Sequence, residues 1–240
     1  MLKLENIVAG YGKNRILHGF SLHVPKGGLV ALLGGNGTGK STTLKAIVGL
    51  VTPQEGRIVF DGADMARVPA EARAGMGMSL VPQGKEVFGG MSVEENILMG
   101  AYHRRADKAG IAQDLEQVYA RFPRLRERRK VAAAMLSGGE RQMLSISRSL
   151  LSRPKLLLLD EPSAALAPKV VEEIADAIVA LRADGLSLLL VEQNVGMALD
   201  VADYIYVIRA GRVAYERPVG DEGVGMDELR QFYLGGHDHG

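Results

Sequence analysis

The stretch Gly34-Gly-Asn-Gly-Thr-Gly39-Lys40-Ser41 matches the phosphate-loop pattern G-x-x-x-x-G-K-[ST] in full. Its glycines allow the backbone to curl so that several N–H groups point at one anion. Lys40 adds a positive charge for terminal phosphates, and the Ser41 hydroxyl can ligate Mg²⁺. An apolar run at residues 29–33 precedes the stretch and a helical pattern at residues 40–49 follows it. This strand, turn and helix predict a nucleotide site.

The alternative interpretation of this stretch is a glycine-rich turn with no ligand. From average residue frequencies, a chance match in a chain of this length is on the order of one in a hundred, and the strand and helix around the motif favour the site further. We therefore predict nucleotide contacts from the whole loop and the residue after it: Gly34, Gly35, Asn36, Gly37, Thr38, Gly39, Lys40, Ser41 and Thr42.

Two carboxylates follow a second apolar run, Leu156-Leu-Leu-Leu-Asp160-Glu161. Ligands of doubly wound sheets bind where parallel strands end. Asp160 is placed to hold Mg²⁺, and Glu161 is placed to polarise an attacking water. A strand that simply ends in charge would explain the pair by itself. The phosphate loop in the same chain favours the catalytic interpretation.

The alternation of strand and helix patterns predicts an α/β protein. Strands are predicted at residues 2–8, 16–24, 29–33, 156–159, 188–191, 204–208 and 212–215. Helices are predicted at residues 40–49, 111–122, 170–183 and 195–202, after Gly139, and after a capping pattern at Ser92 and Glu95. The fold class is a P-loop NTPase-type, largely parallel sheet core with an antiparallel β lobe and an inserted helical lobe.

Bulk properties of the 240 residues exclude several classes of protein. The formal net charge is +1 and cysteine is absent, so nucleic acid is not expected as a partner and disulfides are excluded. No apolar run approaches the roughly 20 residues that span a bilayer, and the N-terminus lacks a signal-peptide core. We expect a cytoplasmic chain, in which any membrane role must come through partner subunits.

A third motif, Leu136-Ser137-Gly138-Gly139-Glu140, is sufficiently explained by itself as a helix capping box. This motif lies after the phosphate loop and before the acidic strand. With the three motifs in this order, the chain resembles the ABC transporter ATPases over residues 2–236. The resemblance implies one ATPase domain at 2–236, with a core at about 1–85 and 154–236 and a helical lobe at about 86–153. It also implies that Ser137, Gly138 and Gly139 close over the γ-phosphate held by an opposite subunit.

The resemblance assigns roles to three further side chains. Tyr11 matches the aromatic residue that stacks on adenine, although an ordinary strand-end tyrosine is the alternative. Gln83 matches the glutamine that reaches Mg²⁺ and the attacking water; its alternative is a polar loop residue. Gln193 stands where the family's switch histidine is expected. The resemblance thus implies ATP and Mg²⁺ as ligands. It implies that the catalytic residues are Glu161, Gln83 and Gln193. The implied metal ligands are Ser41, Gln83 and Asp160.

Two departures from the family pattern indicate a branch. Ala167 replaces an aspartate after the acidic strand, and Gln193 cannot carry the charge of a histidine. These features, with Val191-Glu-Gln-Asn194, resemble the second ATPase subunit of branched-chain amino-acid importers. Importers of urea or short amides, and an ATP-binding regulatory subunit with weak hydrolysis, stay open as alternatives. A soluble family member acting on DNA or ribosomes is disfavoured, because those carry a long coiled-coil insert or two cassettes.

The resemblance also implies partners and a location. A second ATPase subunit is expected, in a heterodimer or a homodimer, with two transmembrane permease subunits and, indirectly, a periplasmic or surface substrate-binding protein. The chain would lie on the inner face of the cell membrane. Phe88, Met91 and Met99 either line the groove for a permease helix or belong to the lobe's interior. The basic run at residues 121–130 is either a solvated face or a subunit contact, and the histidines near the C-terminus are expected to be a frayed end.

Overall fold

The computed structural model describes residues 1–84 and 86–220. In chain order its strands are β1 (Leu2–Tyr11), β2 (Asn14–Val24), β3 (Leu29–Leu33), β4 (Glu55–Phe60), β5 (Ala63–Asp64), β6 (Met78–Val81), β7 (Leu156–Asp160), β8 (Ser187–Glu192), β9 (Tyr204–Arg209) and β10 (Arg212–Pro218). Its α-helices are α1 (Lys40–Ile47), α2 (Ala70–Gly75), α3 (Val93–Met99), α4 (Lys108–Arg121), α5 (Pro123–Glu127), α6 (Gly138–Leu150), α7 (Pro168–Ala183) and α8 (Val195–Val201).

The predicted antiparallel lobe is confirmed as a sheet with the order β2-β1-β4-β5 among the described residues. β1 runs three residues beyond the predicted end at Val8, because Ala9, Gly10 and Tyr11 continue the ladder with β2. The hairpin turns at Gly12, whose φ of 58° is in the left-handed region that glycine adopts readily. The predicted end was wrong because the glycine-rich stretch is both strand and turn.

The predicted parallel core is also confirmed. The second sheet has the order β10-β9-β3-β8-β7-β6, and the five strands from β9 to β6 pair with one another in parallel. Every residue of β3, β7 and β8 is buried, as expected for parallel strands covered on both faces. β10 pairs with β9 in the predicted antiparallel hairpin. The carboxyl ends of the parallel strands therefore lie at one edge.

Alternate residues of the parallel strands face two separate cores. Val30, Leu32 and Leu158 pack towards the antiparallel lobe, where they join Phe20 and Phe60. The intervening residues pack towards the helices, and this second core includes Leu29, Ala31, Leu157, Leu159, Ile178 and Val201. Full burial of a leucine stabilises a fold by about 1.5–3 kcal/mol. The phosphate loop therefore follows a strand, β3, that is packed between the two cores.

The helices between β6 and β7 form the predicted helical region. α3 begins with the predicted capping box, in which Ser92 and Glu95 exchange hydrogen bonds. α4 begins at Lys108 rather than at the predicted residue 111, because the Asp107 carboxylate accepts a hydrogen bond from the Gly110 amide and starts the helix earlier. The short helix α5 was not predicted separately; Pro123 occupies its first turn.

Candidate ATP site at the edge of the parallel sheet

The phosphate loop connects the end of β3 to the start of α1. Gly39 has a φ of 113°, and a Cβ there would lie 2.8 Å from Leu17 Cδ2. A Cβ at Gly34 would lie 2.8 Å from Ile208 Cγ2. Both glycines are therefore required by close packing against other strands as well as by the curl of the loop. The loop rests against β2 and β9, which fixes its shape before any ligand binds.

Lys40 is almost fully buried, at 4% exposure, at the start of α1. Its Nζ donates hydrogen bonds to the carbonyl oxygens of Gly34 at 2.7 Å and Gly35 at 2.8 Å. The same atom lies 3.2 Å from Glu161 Oε1 in a buried ion pair. The phosphate-loop cation and the acidic strand are thus in direct contact.

Glu161 follows β7 directly and has a φ of 47°, a strained conformation for a residue with a side chain. Gln83 Nε2 donates to its Oε2 at 2.8 Å. Gln193 Nε2 donates to its Oε1 at 2.7 Å and to Asn36 Oδ1 at 2.8 Å. The structure therefore brings the three predicted catalytic side chains together beside Lys40.

Asp160 ends β7 with 9% exposure. Burial raises the pKa of this carboxyl, the Ser41 hydroxyl bound to it acts in the opposite sense, and the neighbouring Glu161 charge raises it further. Its buried Oδ1 has no hydrogen-bond partner among the described residues. An unpartnered carboxylate oxygen beside a hydroxyl matches the all-oxygen ligation that Mg²⁺ prefers. Asp160 and Ser41 therefore fit the metal that the sequence implies.

The remaining predicted residues lie away from this cluster. Tyr11 is 50% exposed, and Lys45 Nζ lies over its ring at 5.7 Å from the centroid. Ser137, Gly138 and Gly139 lie at the start of α6, where Ser137 and Glu140 form the predicted capping box. A Cβ at Gly139 would lie 2.6 Å from Val170 Cγ1, so α7 packs tightly against this turn.

The basic run at residues 121–130 is largely compensated by acidic neighbours. Its ion pairs are Arg121–Asp184, Arg124–Glu127, Arg126–Glu116 and Arg128–Glu140. This pairing favours the interpretation as a solvated face. The predicted frayed C-terminal end lies outside the described residues.

A second layer of buried charge was missed by sequence reasoning. Arg73, at 5% exposure, donates to the carbonyl oxygens of Ala46 and Ile47 and so caps the end of α1. Glu192, at 2% exposure, accepts hydrogen bonds from three backbone amides next to the site. Nothing in the sequence distinguishes these residues from exposed charges; only the burial of their positions could have identified them.

The fold and the site together define a P-loop nucleotide-binding protein: a glycine-rich loop between a parallel strand and a helix, facing a strand that ends in Asp-Glu. Residues 17–164 match the family model described as ABC transporter. The chain belongs to the ABC transporter family and is an ABC ATP-binding subunit. Members of this ATPase family hydrolyse ATP. They work as dimers with transmembrane permease subunits.

Full-length relatives support this assignment. The chain is 40% identical to the high-affinity branched-chain amino acid transport ATP-binding protein BraG of Pseudomonas aeruginosa, over 98% of this chain and 100% of that one. It is 40% identical to the probable branched-chain amino acid transport ATP-binding protein LivF of Archaeoglobus fulgidus, over 90% and 91%. The ADP conformation of MJ1267, an ATP-binding cassette of an ABC transporter, superposes with a TM-score of 0.84 at 27% identity, over 96% and 93%.

None of the described helices has both the length and the apolar character needed to cross a membrane.

Proposed function

We propose that this chain is the ATP-hydrolysing subunit of a branched-chain amino-acid importer and acts as one domain over residues 2–236. The observation that carries the catalytic part is the Glu161 carboxylate, held between Gln83 and Gln193 and paired with Lys40. The substrate class is supported by the names of BraG and LivF, which this chain matches over nearly its whole length. The core comprises about 1–85 and 154–236, and the helical lobe about 86–153.

ATP binds on the phosphate loop, from Gly34 to Thr42. The N–H groups of the loop and of the first turn of α1 face the phosphates, and the helix N-terminus adds about half a positive charge. Lys40 exchanges its contact with Glu161 for the terminal phosphates, because a triphosphate carries the larger negative charge. The exposed Tyr11 ring stacks on adenine.

Ser41, Gln83 and Asp160 would hold Mg²⁺ next to the phosphates, where the ion would supply positive charge against the phosphate oxygens. Once Lys40 has turned to the phosphates, Glu161 is free to accept a hydrogen bond from the attacking water. Positioned acid–base help of this kind contributes about 10²–10⁴-fold to a rate. Gln83 and Gln193 keep the carboxylate oriented, because each donates to a different oxygen.

A second ATPase subunit completes the site. The start of α6 presents the amides of Gly138 and Gly139 beside the Ser137 hydroxyl, and such a helix N-terminus favours an anion. We infer that this turn closes over the γ-phosphate of the partner subunit while the partner does the same here. The partner is a different ATPase chain, as in the importer branch that the sequence resembles; a homodimer is the alternative.

We infer that the permease subunits contact the helical lobe near Gln83. Phe88, Met91 and Met99 are 46%, 37% and 38% exposed, so an apolar patch faces solvent there. Phe88 is fixed to the lobe by hydrogen bonds between its backbone and the Asn96 side chain. We infer that a permease contact here acts on Gln83 and, through its hydrogen bond, on Glu161. The chain would lie on the inner face of the membrane, under two permeases served by an external substrate-binding protein.

Two variants test this function. Lys40→Ala removes the buried cation, and we expect Mg²⁺-ATP affinity by calorimetry to fall at least 100-fold. Lys108→Ala changes an exposed lysine of the lobe and serves as the matched control. Glu161→Gln should bind ATP but hydrolyse it at least 100-fold more slowly in the assembled transporter. Wild-type affinity in Lys40→Ala would contradict the site, and transport assays with branched-chain amino acids, urea and short amides test the substrate class.

A second candidate function is an ATP-binding regulatory subunit with weak hydrolysis. Ala167 and Gln193 favour it, because both replace residues that support turnover in related ATPases. Glu161→Gln in this chain alone separates the two functions within the complete transporter. Loss of most turnover supports the catalytic subunit, whereas nearly unchanged turnover supports the regulatory one.

A further inference from the structure

Glu192 is the last residue of β8 and lies directly before Gln193. Its side chain is 2% exposed, yet it is a carboxylate. Oε1 accepts a hydrogen bond from the Ser163 amide at 2.9 Å. Oε2 accepts from the amides of Gln193 at 3.0 Å and Asn194 at 3.2 Å. A buried carboxylate persists only where donors replace the lost water, and here all three donors are backbone N–H groups.

The three amides belong to two different loops. Ser163 lies in the turn after Glu161, and Gln193 and Asn194 lie in the connection from β8 to α8. The strands are already joined by their own ladder, and Glu161 N donates to Val191 O at 2.9 Å. The Glu192 contacts therefore add nothing to the pairing of β7 with β8. They join the loops beyond the strand ends, where Glu161 and Gln193 project.

We propose that Glu192 is a positioning residue for ATP hydrolysis, which rests on the function proposed above. Its carboxylate sets the separation of the two loops. At this separation the side-chain Nε2 of Gln193 donates both to Glu161 Oε1 at 2.7 Å and to Asn36 Oδ1 at 2.8 Å. Glu192 acts on the reaction indirectly, through Gln193 and Glu161, and we assign it no contact with the substrate. A shift of about 1 Å in such groups is enough to slow a reaction severely.

Glutamine is almost the same size as glutamate but cannot fill this role. Its amide has one acceptor oxygen and one NH₂ donor. In either orientation the NH₂ of Glu192→Gln faces at least one backbone N–H, and two donors repel each other. The loop on that side must move away, even though the volume of the buried side chain is unchanged.

The first test uses three variants of the full chain. Glu192→Gln should lower kcat for ATP at least tenfold while the Kd for Mg²⁺-ADP stays within twofold, because the phosphate loop is untouched. Ser187→Ala is the matched control: Ser187 is buried at the other end of β8, and its hydroxyl accepts a hydrogen bond from the Gly27 amide. It should lose stability and keep kcat within twofold. Glu192→Asp keeps both acceptor oxygens and should retain more activity than Glu192→Gln.

A second readout is independent of turnover. Amide hydrogen exchange at Ser163, Gln193 and Asn194 should accelerate at least tenfold in Glu192→Gln, because the hydrogen bonds that protect these amides are lost. Exchange at Val30 and Leu32 in the sheet should stay unchanged if the variant is folded. Wild-type exchange at the three loop amides would overturn the proposal even if activity were lost.

A double variant separates positioning from general loss of stability. If Glu192 acts through Gln193, combining Glu192→Gln with Gln193→Ala should lower kcat no more than the worse single variant does. Multiplying effects would overturn the proposed route. If the wild-type chain itself fails to hydrolyse ATP in its transporter, the proposed function fails; if it hydrolyses and Glu192→Gln matches it, only the present inference fails.

Discussion

The side chains around Glu161 show how one carboxylate can be held by groups of different charge. Lys40 contributes a full charge, whereas Gln83 and Gln193 contribute neutral N–H donors. A neutral donor orients the carboxylate without pairing its charge, whereas Lys40 pairs with it. The Gln193 side chain can therefore orient Glu161 but cannot supply a positive charge.

Gln193 gives a prediction at this scale. Gln193→Ala removes the donor to Glu161 and Asn36, and we expect kcat to fall about 10²-fold, within the range for a positioned catalytic group. Gln193→His should restore part of the rate and add an inflection in kcat near pH 6.5, where imidazole titrates. Steady-state kinetics from pH 5.5 to 8.5 measure both effects. A wild-type inflection that persists in Gln193→Ala would show that another residue titrates.

At the scale of elements, helix ends place the functional groups. α3 and α6 begin with the same capping box, and α6 adds Arg128, whose guanidinium donates to both oxygens of Glu140 at 2.9 Å. α1 ends at Ile47, two residues before the predicted end, and the chain turns at Gly49, whose φ of 84° suits a glycine. The starts of α3 and α6 are satisfied by their own capping boxes, whereas Arg128 and Arg73 add hydrogen bonds from other parts of the chain.

Glu140 supports a prediction of pH dependence. Burial raises the pKa of its carboxyl, but hydrogen bonds from the Ser137 backbone and the Arg128 guanidinium outweigh burial, so the pKa lies below the ordinary value of 4.5. A carboxyl with a lowered pKa in the folded state stabilises the fold above 4.5, and this stability is lost as pH falls through the folded value. Glu140→Ala should therefore lower the free energy of unfolding by about 1 kcal/mol at pH 7.

Urea unfolding of wild type and Glu140→Ala at pH 7 and at pH values below 4.5 measures this effect, and the difference should shrink in acid. Glu95→Ala in α3 is the control, because Glu95 occupies the same place in a capping box whose contacts come from Ser92 alone. If the loss in free energy of unfolding caused by Glu140→Ala is the same at every pH, the ionised pair with Arg128 is not its source.

At the scale of the whole molecule, the parallel sheet collects residues that are far apart in sequence. The phosphate loop follows β3, Gln83 follows β6, Glu161 follows β7 and Gln193 follows β8. Among the segments between β6 and β7, the Asp114 carboxylate forms ion pairs with Arg104 and Arg153. The carboxyl ends of the parallel strands thus bring the predicted site residues together at one edge of the sheet.

The proposed permease surface gives a prediction at this scale. Met99→Glu places a charge on the exposed patch of the lobe, and we expect permease-stimulated ATPase activity to fall at least fivefold because an apolar contact is lost. ATP affinity should stay within twofold, since the change lies outside the phosphate loop. Val179→Glu on α7, also exposed at 42%, is the control. Equal stimulation of wild type and Met99→Glu would remove this surface from the interface.

Features that depend on the local order of residues were predictable without the structure. The phosphate loop, the Asp160–Glu161 pair and the capping boxes at Ser92 and Ser137 are short motifs whose chemistry needs only neighbouring residues. Buried strands such as β3 and β7 were also predictable, because strands covered on both faces are apolar throughout. Helix starts such as that of α4 were predicted less accurately, since a cap depends on one side-chain hydrogen bond.

Contacts between side chains that are far apart in sequence follow from the tertiary fold and were not predictable from local patterns. β6 is a short strand that pairs with β7, and no local pattern announces that pairing. Gln83 and Gln193 were expected to be catalytic by resemblance, but their contact with opposite oxygens of Glu161 follows from the strand order. Glu192 and Arg73 resemble surface charges until the fold buries them. A charge becomes a structural or catalytic group only when folding removes its water and supplies protein donors or acceptors instead.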